Sequence, residues 1–351
     1  MHTRGSTVTN KLLFAAAMAG LPLAAQAQSG LTLYGVADAA FALVDSGSGS
    51  AVRHVDSGVQ DVSRFGIRGT EQLAGTLQAL FDLDARVGMD SGEGTGVGGG
   101  LTFRRRSVVG LRGNFGEVRL GRDYTPGYHA LLDKSIVGTS YYGSPQMWRT
   151  AGGIDNRASN AIFYDTPTIG NLQLRLAYAM GEYATEPKNR GKLAAAALFY
   201  GKGAVRISGY YQQVDSTSDP YVRTKQYGLG GGYDFGRFAV RGGYAASDPD
   251  GGNRLWHYSL GASAKIGTGT LYAQLISIEQ DASAGTRPKA TTFALAYRHP
   301  LSARTNLYAS FGTTANNEAG NFSLNSAADS FAPTAVGEDL RAFGLGIAHV
   351  F

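Results

Sequence analysis

Runs of about ten residues in which apolar and polar side chains alternate recur from Leu31 to the end of the chain, and this period-two pattern constrains the fold more than any other feature. Leu31, Leu33, Gly35, Ala37, Ala39 and Phe41 alternate with Thr32, Tyr34, Val36 and Asp38. Farther on, Leu172, Leu174, Leu176 and Tyr178 alternate with Gln173, Arg175 and Ala177, and Phe293, Leu295 and Tyr297 with Thr292 and Arg298. A strand sends successive side chains to opposite faces, so each run has one apolar and one mixed face. A soluble sandwich would turn the apolar face inward, whereas a wall between lipid and water would turn it outward. Run length and number decide between them. The runs are longer than ordinary globular strands and suit a tilted bilayer crossing. Counted from Leu31 there are about sixteen, the even number expected of a bacterial barrel enclosing water. The predicted fold is therefore all-β, a sixteen-stranded antiparallel transmembrane β-barrel.

Composition agrees. Among 351 residues, Gly (50), Tyr (19) and Phe (16) are abundant, and beyond the N-terminus no apolar stretch is long enough for a membrane helix. Cysteine is absent, which excludes disulfides and thiolate metal sites. Residues 1–27 read as a cleaved signal peptide: Arg4 and Lys11 form the positive region, Leu12 to Leu23 the apolar core, and Ala25-Gln26-Ala27 a small-x-small cleavage site. The barrel is expected over residues 28–351. Without Arg4 and Lys11 the net charge falls from +5 to +3, too mild to identify a partner by itself.

Connections between the runs alternate in length. Short links at Leu73-Ala74-Gly75, Asn114-Phe115, Ile169-Gly170, Gly201-Lys202-Gly203, Phe235-Gly236, Gly267-Thr268-Gly269 and Ser302-Ala303-Arg304 read as periplasmic turns. Longer polar links read as extracellular loops, including Asp45 to Asp61, Asp90 to Gly100, Gly181 to Gly191 and Thr313 to Gly337. The longest is different. From Phe103 a strand carrying Arg104, Arg105 and Arg106 leads through Asn114-Phe115 into a second strand, after which Asp123 to Asn156 holds no convincing strand. A loop of that length in a regular β protein is usually functional. It is expected to fold into the lumen and, with arginines on the opposite wall, to set the width and charge of a pore.

Several segments carry a resemblance when taken in order: Leu33-Tyr34-Gly35-Val36-Ala37-Asp38, Ser63-Arg64-Phe65-Gly66-Ile67-Arg68-Gly69-Thr70-Glu71, Leu120-Gly121-Arg122-Asp123-Tyr124, and the final Gly346-Ile347-Ala348-His349-Val350-Phe351. Over nearly the whole mature length the chain resembles the trimeric general porins of the Gram-negative outer membrane, of the kind found in Burkholderia, Bordetella and Comamonas. The resemblance implies a passive channel for small hydrophilic solutes and ions, with the third extracellular loop bent against a wall of arginines. It also implies a homotrimer set in outer-membrane lipid and lipopolysaccharide, with Phe351 read by the barrel-assembly machinery. Residue by residue it assigns Arg64, Arg105 and Arg157 as pore arginines and Asp84 as a wall carboxylate. It also makes Arg122 a candidate trimer contact.

Alternation supports Arg64 and Asp84, which share faces with Arg68 and Asp82 opposite Phe65, Ile67 and Leu83. A charge turned to lipid near the midplane would cost about 2–4 kcal/mol, so these side chains should face water. At the triple arginine the two arguments conflict. Hydropathy turns Arg104, Arg106 and Arg112 inward, while the resemblance favours Arg105 and would turn Arg106 outward. The loop offers only Asp123, Asp133 and Asp155 against Lys134, Arg149 and His129, with Tyr124, Tyr128, Tyr141, Tyr142 and Trp148 adding bulk. The constriction should be net positive and favour anions.

No catalytic constellation is present, and the histidines are scattered without metal-ligand spacing. The Gly94 to Gly100 cluster leads into another strand rather than a helix, so a dinucleotide loop is excluded. Alternation and export argue against nucleic-acid binding. A barrel enzyme would need a triad at the rim, and a solute-selective channel or an adhesin acting through the long loops is compatible with the same barrel. No enzyme activity, cofactor or metal is expected.

Overall fold

The alternation along the chain becomes one closed antiparallel sheet. The structure is a computed structural model that describes residues 30–181, 189–217, 220–282 and 284–351; the signal peptide expected over residues 1–27 lies outside them. Seventeen hydrogen-bonded strands form the sheet. Two of them, Val52–Ser57 and Arg64–Ala74, are consecutive halves of one broken wall strand, β2, because both pair with β1 (Gly30–Asp45). The barrel therefore has sixteen staves. The others are β3 (Leu77–Arg86), β4 (Arg106–Gly113), β5 (Gly116–Tyr124), β6 (Arg157–Asp165), β7 (Leu172–Ala179), β8 (Leu193–Lys202), β9 (Val205–Asp215), β10 (Arg223–Asp234), β11 (Phe238–Pro249), β12 (Leu255–Ile266), β13 (Gly269–Gln280), β14 (Lys289–Pro300), β15 (Thr305–Asn316) and β16 (Leu340–Val350). Closure comes from β1 pairing with β16, from Val36 opposite Val350 to Asp45 opposite Arg341. Phe351 continues the seam: its N–H donates to Gly35 O and the Gly35 N–H to Phe351 O, both at 3.1 Å. The Phe351 ring covers Gly35 so closely that an added Cβ there would lie 2.3 Å from it.

The faces settle the choice between sandwich and membrane wall. Leu229, Leu260 and Leu345 are 62%, 61% and 52% exposed on the outside, whereas the small and polar side chains of the other face, such as Ser259, Gln226 and Ala342, are buried within the barrel. The apolar face looks outward, as a lipid-facing wall requires and a soluble sandwich forbids. Tyr178, Tyr211 and Tyr233 stand about half exposed near strand ends, where interfacial aromatics sit.

All seven short turns lie at one end, and their tightest bends use glycine at positive φ, as at Gly203 and Gly236. The eight longer connections lie at the other end. Two boundaries differ from expectation. The link expected over Asp45 to Asp61 is shorter, residues 46–51, because Val52–Ser57 returns along β1, and a separate break in β2 covers residues 58–63. Buried Asp38 makes that break: its Oδ2 accepts from the N–H groups of Gln60 at 3.0 Å and Asp61 at 2.7 Å. The strand expected from Phe103 begins at Arg106.

Candidate functional site

β2, β3 and β4 present their charged faces to the lumen as a ladder. Asp82 and Asp84 on β3 stand opposite Arg68 and Gly66 of β2, and Asp84 also stands opposite Arg106 of β4. Arg105 Nε donates to Asp84 Oδ1 at 3.1 Å, and Arg64 Nε lies 4.0 Å from Asp84 Oδ2. Arg64 Nη1 also donates to Asp61 Oδ1 at 2.7 Å. Arg106 joins Asp82 Oδ2 at 3.0 Å to Asp123 Oδ1 at 2.8 Å.

This geometry dissolves the conflict at the triple arginine. Arg105 precedes the ladder, so strand parity does not bind it, and it faces the lumen together with Arg106. Arg106, which the resemblance turned outward, is inside. Asp123 is also corrected: it belongs to β5 rather than to the loop, and it is fully buried between Arg106 and Arg119. It is neutralised within the wall and presents no carboxylate to the pore.

The loop itself runs over residues 125–156 and lies inside the barrel. Helix α1 (Pro126–Asp133) starts at Thr125, whose Oγ1 accepts the Tyr128 N–H at 3.2 Å, with proline at the first helical position. It packs on β8, β9 and β10, and its Tyr128, His129 and Leu132 line one cavity with the arginines. The chain then follows the wall: Ser135 Oγ donates to Gln274 Oε1 at 2.7 Å, and the Tyr142 N–H donates to Ser310 Oγ at 3.0 Å. Helix α2 (Gln146–Thr150) returns it, with Trp148 fully buried beside His257. Asp155 is held by Gln226, which donates to its Oδ2 at 3.0 Å. Half-buried Asp133 has no hydrogen-bond or ion-pair partner among the described residues and does not line the arginine cavity described next.

Between loop and wall lies a cavity of about 570 Å³. Nine arginines (Arg64, Arg68, Arg86, Arg104, Arg105, Arg106, Arg122, Arg149 and Arg157) line it against three aspartates, Asp61, Asp82 and Asp84. Five of the nine, Arg68, Arg104, Arg122, Arg149 and Arg157, have no carboxylate partner among the described residues; Arg68 lies over the Tyr34 ring at 5.0 Å. Arg157 instead stacks 4.1 Å over the Tyr124 ring and donates to Arg105 O at 2.9 Å; Tyr124 in turn stacks on Tyr128. Arg149 on α2 donates to Gln146 Oε1 at 3.1 Å. Burial, with the Arg157 and Arg86 charges facing it, draws the Arg149 guanidinium below its ordinary pKa. Arg122 donates to Arg104 O at 2.7 Å and Ser159 Oγ at 2.6 Å, so in this chain it turns onto its own arginine cluster.

Two loop cations expected at the constriction do not act there. Burial and the Arg175 charge hold the His129 ring down at about 3, so it is neutral at working pH. Lys134 is 1% exposed behind the loop, with Nζ 3.4 Å from His257 Nδ1, and burial lowers its pKa to about 7. The ammonium resists burial, so its penalty is fully present below pH 7 and fades as pH rises from about 7 towards the unfolded value of 10.5. Lys134→Met should therefore stabilise the protein, most strongly below pH 7 and least near pH 10, in paired thermal unfolding scans across that range.

The decisive comparison covers nearly the full length. The model of the Gram-negative porin family matches residues 14–319. The chain belongs to this family. Outer membrane porin protein 32 of Delftia acidovorans is 32% identical, over 97% of this chain and 99% of that protein. An outer membrane porin protein of Bordetella pertussis is 28% identical over 87% of this chain and 94% of its own. Among solved structures, the anion-selective porin from Comamonas acidovorans superposes with a TM-score of 0.83 at 30% identity, covering 92% of this chain and all of that one. This porin is a passive channel of the Gram-negative outer membrane.

Sequence reasoning missed the seat of the loop. A Cβ added at Gly230 would lie 2.2 Å from Lys134 Cβ, one at Gly261 2.5 Å from Ile136, and one at Gly312 2.6 Å from the Tyr142 carbonyl carbon. Glycine weakens a strand unless another backbone approaches closely. Inward-facing glycines within strands were thus the available signal. The infolding of the last long connection, expected over Thr313 to Gly337, was missed as well. Residues 317–339 fold into the mouth, where a ribbon of Leu324–Asn325 and Ser330–Phe331 is hydrogen-bonded to the infolded loop from Gly143 N to Asn325 O at 2.9 Å.

Proposed function

We propose that this porin is an anion-preferring diffusion channel for small hydrophilic solutes, constricted where residues 125–156 face the arginine ladder. The observation that carries the reading is the excess of nine arginines over three aspartates around one cavity, five of the arginines without an acidic partner among the described residues. Water-filled walls of one sign concentrate counter-ions and repel co-ions, so anions are enriched where the channel is narrowest. The anion-selective porin of Comamonas, with the same fold over nearly the same length, supports this reading. Arg64, Asp84, Arg105, Arg149 and Arg157 are the residues assigned to the constriction; Asp123 and Asp133 are withdrawn from it.

The fuller assembly rests on family membership: a homotrimer in lipid and lipopolysaccharide, exported by residues 1–27 and inserted by barrel-assembly machinery that reads Phe351. Reversal potentials of the purified porin in planar bilayers under a salt gradient test the selectivity. The expected sign is that of an anion-selective pore, strongest near 0.1 M salt, where screening reaches about 10 Å, and weakened near 1 M, where it reaches about 3 Å. A cation-selective sign would overturn the reading.

A further inference from the structure

We propose that Asp329, in the last long connection, is a tethered anion that occupies Arg86 and thereby limits entry of free anions to the arginine cavity. This rests on the anion-channel reading above. Arg86 ends β3 and lines two hollows at once: the arginine cavity, and an outer hollow of about 360 Å³ walled also by Asp56, Asp90, Glu93 and Asp329. It stands at their partition. Its Nη2 donates to Asp329 Oδ1 at 2.7 Å and its Nη1 to Ala328 O at 3.1 Å, while Ala327 and Ala328 themselves line the arginine cavity.

The contact does two things. It cancels a guanidinium that an incoming carboxylate or phosphate would otherwise meet first, and it holds residues 327 and 328 at the cavity wall. The rest of the connection braces that position: Ala327 N–H donates to Val59 O at 3.4 Å and Ala328 N–H to Gly58 O at 3.0 Å, in the break of β2. The infolded loop joins the same brace, for Tyr141 N–H donates to Val59 O at 2.7 Å and Gln146 Nε2 to Ala327 O at 3.4 Å. Both infolded segments thus lean on one bend, and Asp329 supplies the charged clasp between the second of them and the ladder. The pair is about one-third exposed, so water and a mobile anion can compete for Arg86.

Asp329→Asn removes the tethered charge and keeps the side-chain size. In planar bilayers near 0.1 M salt it is expected to raise the anion-to-cation permeability ratio about two- to fourfold, with Asp329→Glu remaining close to the parent. Because the chain has no cysteine, Ala328→Cys gives a second reading: an anionic thiol reagent added from the extracellular side should label it several-fold faster when Asp329→Asn is also present. If the parent porin is anion-selective but Asp329→Asn leaves the ratio unchanged or lowers it, or leaves Cys labelling unchanged, this inference is overturned and the channel reading stands. If the parent itself is cation-selective, both fail.

Discussion

Exchanging Arg149 and Arg157 together for glutamine is expected to lower the anion-to-cation permeability ratio about tenfold at 0.1 M salt, and much less at 1 M. A unit charge acts on an ion about 5 Å away with roughly 0.8 kcal/mol in a water-like dielectric, about fourfold in local concentration, and with opposite sign for the co-ion. Two such charges, softened by screening, give the stated order of magnitude. These two are chosen because neither has a carboxylate partner among the described residues, so their removal strands no acid. Arg105 differs. Its loss leaves Asp84, 7% exposed, without its nearest cation, so an effect on folding would be mixed with one on permeation. Reversal potentials of the double variant at both salt concentrations check the prediction. An unchanged ratio at 0.1 M would show that the charge governing passage lies elsewhere in the pore.

Gly312→Val is expected to dislodge the infolded loop while leaving the barrel intact. The new Cβ would meet loop backbone, 2.6 Å from the Tyr142 carbonyl carbon and 2.7 Å from Gly143 N, and backbone yields less easily than a side-chain tip. Overpacking of this kind costs about 1–3 kcal/mol. The strain falls on a short set of contacts, chiefly the Tyr142 N–H to Ser310 Oγ and the Tyr142 hydroxyl to Asp56 Oδ2 at 2.6 Å. The β15 ladder to β14 and β16 does not depend on them. Single-channel records should show lower mean conductance with frequent brief closures, as the loop leans into the lumen, at an unchanged barrel melting temperature. Quiet records of parental conductance would mean that the loop is not held by this wall.

Except for Val52–Ser57, expected within a loop, the strands, their faces and every short turn were legible because alternation is local: Leu172 and Leu176 announce lipid from their own neighbours in sequence. Parity also placed Arg64 and Asp84 correctly on the inner face. It failed at Arg105 because parity holds only within a hydrogen-bonded ladder, and the ladder starts one residue later at Arg106. Lys134 and Asp123 were read as pore charges from composition alone. Where they end up depends on contacts more than a hundred residues away for Lys134, which meets His257, and on a cross-strand arginine for Asp123. Asp38 gave no hint that it would cap a break in the neighbouring strand, since an inward carboxylate on a barrel strand is unremarkable until its backbone partners are known.

The seam between β1 and β16 has a consequence for biogenesis. The first strand finds one of its lateral partners only among residues 341–350, so a nascent cylinder exposes two open edges with outward Leu and Phe along them until the two ends meet. Such an arc is a template for pairing with its own copies. Transit through an aqueous compartment therefore favours a chain kept unpaired by a holding factor over one that folds progressively from its N-terminus.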